Sequence, residues 1–109
     1  MTAHITALIA AAAPATQTLQ DVTASRASGT TYQNTTVQTI KVWVTCAIGA
    51  SQNVLVKIGT SSPPSLQTQQ QSNAGSAAAT YTLYFDVAPN EYYEVVVTGS
   101  SVAQWIERR

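Results

Sequence analysis

Two stretches of two-residue alternation constrain this chain more than any other feature. Ile40, Val42, Val44, Cys46 and Ile48 fall on one side of an extended backbone, with Lys41, Trp43, Thr45 and Ala47 on the other. Later, Ala79, Tyr81, Leu83, Phe85 and Val87 alternate with Thr80, Thr82, Tyr84 and Asp86. Successive side chains of a strand point to opposite faces, so each pattern predicts a half-buried strand. The first strand is expected over residues 37–48 and the second over 79–87. Val54, Val56 and Ile58 repeat the apolar face after the turn-like run Gly49-Ala50-Ser51-Gln52-Asn53, which predicts a hairpin.

The remaining segments fit the same class. Residues 59–65 hold Gly59 and the Pro63-Pro64 pair and read as loop. Residues 66–72 are Gln-rich with few apolar anchors, the composition of an edge strand whose register is weakly specified. Asn73-Ala74-Gly75-Ser76 turns the chain again. Pro89-Asn90-Glu91 leads into a strand over 92–98, with Tyr93, Val95 and Val97 on one face, and Gly99-Ser100-Ser101 into a last strand ending at Arg109. Five to seven strands without intervening helices predict an all-β fold, an antiparallel, jelly-roll-like β-sandwich. At 109 residues there is room for a single domain. We place it at 21–109, preceded by an N-terminal arm or short helix at 1–20.

Charge excludes several function classes. Charged residues make up 9% of the chain, against roughly 25% in an average domain. Five cations balance five anions, so no long-range field favours nucleic acid or an acidic membrane. Ser and Thr supply 26 residues and Gln another 10, so the polar surface is built from hydroxyls and amides. The single cysteine, Cys46, sits in an alternating apolar run and reads as a small core residue. No second thiol is present for an internal disulfide or a thiolate metal site. A small core without covalent staples suggests completion by partner subunits.

The N-terminal run Ile5-Thr6-Ala7-Leu8-Ile9-Ala10-Ala11-Ala12-Ala13 is too short to span a bilayer, which takes about 20 residues. Ala13-Pro14-Ala15 is compatible with signal cleavage, but only His4 stands where a signal peptide carries Lys or Arg. Ile5, Leu8 and Ile9 are spaced three and four apart, as on one face of a short helix. Such a helix is unstable alone in water, so it is expected to dock on another chain.

No constellation for catalysis emerges. His4 is the sole histidine, remote in sequence from the strands. Asp21, Asp86, Glu91, Glu94 and Glu107 read as surface acids, with Glu91 and Glu94 on opposite faces of any strand. No Gly-rich phosphate loop occurs. No catalytic, cofactor or metal residue is assigned, and a non-enzymatic chain is expected. The more informative side chains are structural or interface candidates. Trp43, on the polar face of its strand, suits a second core layer, a subunit contact or a sugar platform, and Tyr84 and Tyr92 share that ambiguity. Asn34-Thr35-Thr36 matches a glycosylation acceptor, but Asn34 is better read as a turn residue bonding its own backbone two positions on.

Residues 21–36 lead the chain into its sandwich. Arg26-Ala27-x-Gly29-Thr30-Thr31-Tyr32-x-Asn34 resembles the opening of a small β-module found at the distal ends of bacteriophage tail fibres and in related phage virion proteins. Val87-Ala88-Pro89-Asn90-Glu91-Tyr92-Tyr93-Glu94-Val95 is similar to that family's proline turn and tyrosine-rich strand. Trp105-Ile106-Glu107-Arg108 is similar to its Trp-x-Glu-x-Arg ending. The likeness departs at Thr35-Thr36-Val37-Gln38, where the family has a Gly and a Pro.

The resemblance implies a non-enzymatic virion structural protein, assembled in the bacterial cytoplasm and placed on the tail or tail fibre. It implies a homo-oligomer, a trimer, contacting other virion subunits, with a host-surface glycan or protein as a further partner. Neither nucleic acid nor membrane insertion is expected. The alternatives are a capsid decoration protein or head fibre held by its N-terminal arm, and a lectin-like carbohydrate-binding module. Arg26 is expected to act structurally, bonding backbone carbonyls or pairing with Asp21 or Glu107. Pairing with Glu107 would close the first part of the domain against the last.

Overall fold

The structure, a computed structural model, describes residues 16–109. The strands are β1 (Leu19–Asp21), β2 (Tyr32–Gln33), β3 (Ile40–Gly59), β4 (Gln67–Ser72), β5 (Ala79–Val87) and β6 (Tyr92–Arg108), with one 3₁₀ turn at Thr23–Ser25. All pairings are antiparallel. The all-β expectation holds, and β5 has the span its alternation predicts.

The central pair is β3 with β6, and both strands are bent. The hairpin expected at Gly49–Asn53 does not form. Instead Ile48 pairs with Ser100 and Asn53 with Thr98, so both parts of β3 run along β6, and residues 49–52 stand opposite Gly99. Gly99 takes φ +61, and a Cβ on Gly49 would lie 2.5 Å from the Gly99 carbonyl oxygen. Only glycines allow the two backbones to approach this closely at the corner. The final strand is likewise not separate, since 92–98 and 100–108 are the two arms of β6.

Residues 40–48 lie between β5 and the second arm of β6, whose far side pairs with β1. Residues 53–59 lie between β4 and the first arm of β6, which pairs with β2. The two halves fold face to face. Tyr93 and Glu107 are 14 positions apart on β6, roughly 46 Å at about 3.3 Å per residue if straight. Their side chains are 2.7 Å apart, so the strand doubles back. Phe85 and Tyr93, one from each half, lie 6.2 Å apart between ring centroids.

One core fills the space between the halves. It takes Ile40, Val42, Val44, Cys46 and Ile48 from one arm of β3 and Val54, Val56 and Ile58 from the other. Leu83, Phe85, Val87, Tyr93, Val95 and Trp105 complete it. Alternation therefore predicts the core side correctly, as expected when one face of each strand is removed from water.

Two boundaries differ from expectation. The first long strand starts at Ile40, and Val37 is 84% exposed in the preceding loop. The sheet begins at Leu19, inside the segment expected to be an arm, because β1 pairs with the end of β6. Ile5, Leu8 and Ile9 lie outside the described residues. Residues 67–72 do form the edge strand expected of them, paired with β3 alone.

Residues 21–33 lace along β6 and seal that side of the sandwich. The Val22 amide donates to Trp105 O at 2.9 Å and the Gly29 amide to Val95 O at 2.9 Å. The Val97 amide donates to Ser28 Oγ at 3.0 Å, and Tyr32–Gln33 pair with Tyr92 and Tyr93. The stretch thus spans both halves of the fold. The opposite side, between β4 and β5, is open.

Candidate functional site

The most concentrated polar chemistry surrounds Glu107, whose side chain is fully buried. Alternation along β6 turns Trp105, Glu107 and Arg109 to one side. Glu107 Oε2 accepts from Tyr93 Oη at 2.7 Å, Trp105 Nε1 at 3.0 Å and Arg26 Nε at 3.1 Å. Oε1 accepts from Arg109 Nη1 at 2.8 Å and Arg26 Nη2 at 2.9 Å. Burial alone would raise the Glu107 pKa, but these donors, Arg26 foremost, hold it below the ordinary carboxylate value. Burial pushes the Tyr93 phenol strongly upward, reinforced by the neighbouring Glu107 charge. Desolvation works against the Arg26 charge, yet its bonds to Glu107 raise its pKa on balance.

Aromatic rings enclose the ion pair. The Arg26 guanidinium carbon lies 4.7 Å from the centroid of Tyr32. Tyr32 in turn packs 5.8 Å from Tyr93 and edge-on at 5.9 Å from Trp105. Its hydroxyl accepts from the Ala27 amide at 2.7 Å, which fixes the loop that carries Arg26. A planar guanidinium suits this place because it bonds a carboxylate at two points while stacking on a ring.

Of the expected partners for Arg26, the structure brings in Glu107 and leaves Asp21 out. Asp21 Oδ1 instead accepts from the Thr23 amide at 3.0 Å and the Thr23 hydroxyl at 2.6 Å, starting the 3₁₀ turn. Glu107 is a correction: it is no surface acid. The sequence reading does not single out Arg109 and Tyr93 as its partners, nor Tyr32 as the ring against Arg26. The available signal was parity, because a charged residue two positions after an inward Trp must itself point inward.

Asn34 turns the chain as expected, its Oδ1 accepting from the Thr36 amide at 3.0 Å. It does more, because its buried Nδ2 donates to Val87 O at 2.9 Å and Gln38 O at 2.8 Å. Asn73 repeats the arrangement: Oδ1 accepts from the Gly75 amide at 3.0 Å, and Nδ2 donates to Ile48 O and Ala77 O, each at 2.9 Å. Ile40–Val87 and Ile48–Ala79 are the terminal pairs of the β3–β5 ladder, so one buried amide closes each end. Beyond them, Asn90 takes φ +69 in the proline turn, where the Glu91 amide donates to Ala88 O at 3.1 Å.

Trp43 and Tyr84 lie opposite each other on the outer side of the first half and stack, with centroids 5.2 Å apart and planes 20° apart. No second core layer from the described residues covers them. Trp43 is half-buried, and Tyr84 is 38% exposed with its hydroxyl donating to Asp86 Oδ1 at 2.7 Å. Tyr92 is half-buried on the other half, in register with Gln33 and Gly59. The open side between β4 and β5 holds a cleft of about 520 Å³. Ile58, Leu66 and Phe85 give it apolar walls, and Thr68, Asp86 and Glu91 polar ones.

Among the described residues, no group of three or more His, Cys, Asp or Glu is placed to hold a metal ion, and no helix is long and apolar enough to cross a membrane. No family model matches the chain, and neither a curated protein nor a solved structure matches it.

Proposed function

We propose that the protein is a non-enzymatic structural component of a bacteriophage particle: a β-sandwich module that joins the tail or tail fibre and assembles with other copies and other virion subunits. The observation that carries the reading is the convergence of separated motif residues. Arg26 and Tyr32 from the opening motif, Tyr93 from the tyrosine-rich strand, and Trp105 and Glu107 from the ending meet around one buried carboxylate. The opening, tyrosine-rich and ending segments therefore work as a unit that builds the fold. Both Glu107 oxygens are occupied by structural donors, which leaves this acid committed to holding elements together. The neutral, hydroxyl- and amide-rich surface suits a component that must not adhere to nucleic acid during assembly.

Labelling particles with antibody to this protein tests the reading. Decoration of the tail or its fibres is expected, whereas a label spread over the capsid would favour the decoration-protein alternative, and absence from purified particles would overturn the proposal. Because β1 belongs to the sheet, an attachment test should remove residues 1–15 and leave 16–109 intact. The shortened chain is expected to stay folded and to be left out of particles.

A further inference from the structure

The outer side of the first half carries a patch that nothing among the described residues covers. Antiparallel partners share a face, so the register places Leu19, Arg108, Lys41 and Asp86 in one row across β1, β6, β3 and β5. The adjacent row is Asp21, Ile106, Trp43 and Tyr84. Four strands at about 4.8 Å spacing make this face roughly 14 Å wide between its outer strands. Leu19 is 57% exposed and Tyr84 38%, with Ile106 and Trp43 half-buried between them.

We propose that a second copy of this chain docks on this patch, face to face, through the same surface. The inference rests on the self-assembly part of the reading above and adds where the copies meet. Charge selects the occupant. The face holds two cations, Lys41 and Arg108, and neither forms an ion pair within the described chain, where the only salt bridges join Glu107 to Arg26 and Arg109. It also holds two acids, Asp86 and Asp21, set near opposite ends. A surface with equal numbers of both signs around an apolar centre can be complementary to itself, as a two-fold contact requires. It attracts neither a polyanion nor a polycation, and the chain's zero net charge opposes no approach by a copy.

The rings argue in the same direction. A sugar platform offers an open aromatic face, but Trp43 and Tyr84 each give one face to the other. The exposed tyrosine with its polar tip, beside tryptophan and isoleucine, matches the composition of a protein contact centre, where aromatics are enriched.

Sedimentation of the full chain, with homotypic cross-linking, tests the proposal. The native chain is expected to associate at tens of micromolar. Trp43→Ser combined with Tyr84→Thr should weaken association at least tenfold while leaving the far-ultraviolet spectrum unchanged. Should that variant fold poorly, Thr45→Cys in an otherwise native chain decides. Thr45 is outward-facing and next to Trp43, so a short bismaleimide should link two copies, while buried Cys46 stays unlabelled in the native chain. A monomeric native chain, undiminished association of a folded double variant, or an oligomer that Thr45→Cys fails to link would each overturn the proposal. A chain that associates through this face but is absent from particles would defeat the virion reading and leave the docking face standing.

Discussion

Arg26 and Glu107, 81 positions apart, meet through two parallel hydrogen bonds of 3.1 and 2.9 Å, with the carboxylate fully buried and the arginine side chain 14% exposed. The pair fastens the start of the domain to its last strand. Removing one partner leaves the other charge inside the protein, which typically costs about 3–5 kcal/mol. Urea unfolding should show Glu107→Ala destabilised by about that amount, because it strands both Arg26 and Arg109. Arg26→Ala should cost about 3 kcal/mol, because Arg109 still neutralises the acid. The double variant should cost clearly less than the sum, and additivity would deny the coupling.

The same carboxylate sets an acid limit. A glutamate in the unfolded chain titrates near 4.5, and the folded value is lower. The unfolded state therefore binds the proton first, and the contribution of Glu107 is fully present above the unfolded pKa and lost as pH falls through the folded one. The stability difference between the native protein and Glu107→Gln should be greatest at neutral pH and shrink steadily below about pH 4.5. A difference that is constant from pH 7 to pH 3 would mean that Glu107 is not ionised in the fold.

The corner in β3 and β6 makes a graded prediction. At Gly49 a Cβ would meet backbone, the Gly99 carbonyl oxygen at 2.5 Å, and backbone cannot move aside cheaply. At Gly99 it would meet Gln52 side-chain atoms at 2.6–2.9 Å, with a further penalty of about 1–2 kcal/mol for the left-handed conformation. Gly49→Ala should be the more damaging, by roughly 2–3 kcal/mol for forced repacking. Adding Gln52→Ala should recover part of the loss in Gly99→Ala and none in Gly49→Ala, read from thermal midpoints.

How the sequence relates to this fold can be judged at the same place. Alternation identifies the inward face of β3 on both sides of the corner, because burial of one face is a local pattern. It cannot say which strand lies alongside, since residues 49–53 have the composition of a hairpin turn and pairing is non-local. Arg26–Glu107 was foreseeable as one of several pairings because charges are so few. Tyr93 was not, since reaching Glu107 depends on β6 folding back at Gly99, whereas Arg109 lies two positions on and shares the side of Glu107 by parity. Asn73 looks like any turn asparagine. Its burial arises only when the two halves close.

Cys46 reports on opening. It is fully buried in the core, and burial raises its thiol pKa to about 11. Thiolate is the reactive form, so the native protein should resist a thiol reagent at pH 8. Labelling should rise with urea along the unfolding curve, and rapid labelling of the folded protein would show that the two halves separate locally.

The two buried asparagines give the last prediction, because each combines two amide donors and an acceptor on a side chain short enough to bond its own turn. Asn34 accepts from the Thr36 amide and donates to Gln38 O and Val87 O; Asn73 accepts from the Gly75 amide and donates to Ile48 O and Ala77 O. Alanine removes four bonds at Asn34, where the Thr36 hydroxyl also donates to Oδ1, and three at Asn73, and leaves buried backbone groups without partners, at about 1–3 kcal/mol for each unsatisfied group. Aspartate keeps the acceptor and the size but has no amide hydrogens, and it sets a negative charge against two carbonyl oxygens. Asn34→Asp and Asn73→Asp should therefore be at least as destabilising at neutral pH as the alanine variants. Below the carboxyl pKa the protonated side chain regains one donor, so the aspartate variants should recover towards pH 4 relative to alanine. Unfolding curves at pH 7 and pH 4 measure both effects. Aspartate variants as stable as native at pH 7 would show that the acceptor alone holds these turns, and that the ends of the β3–β5 ladder need no clasp.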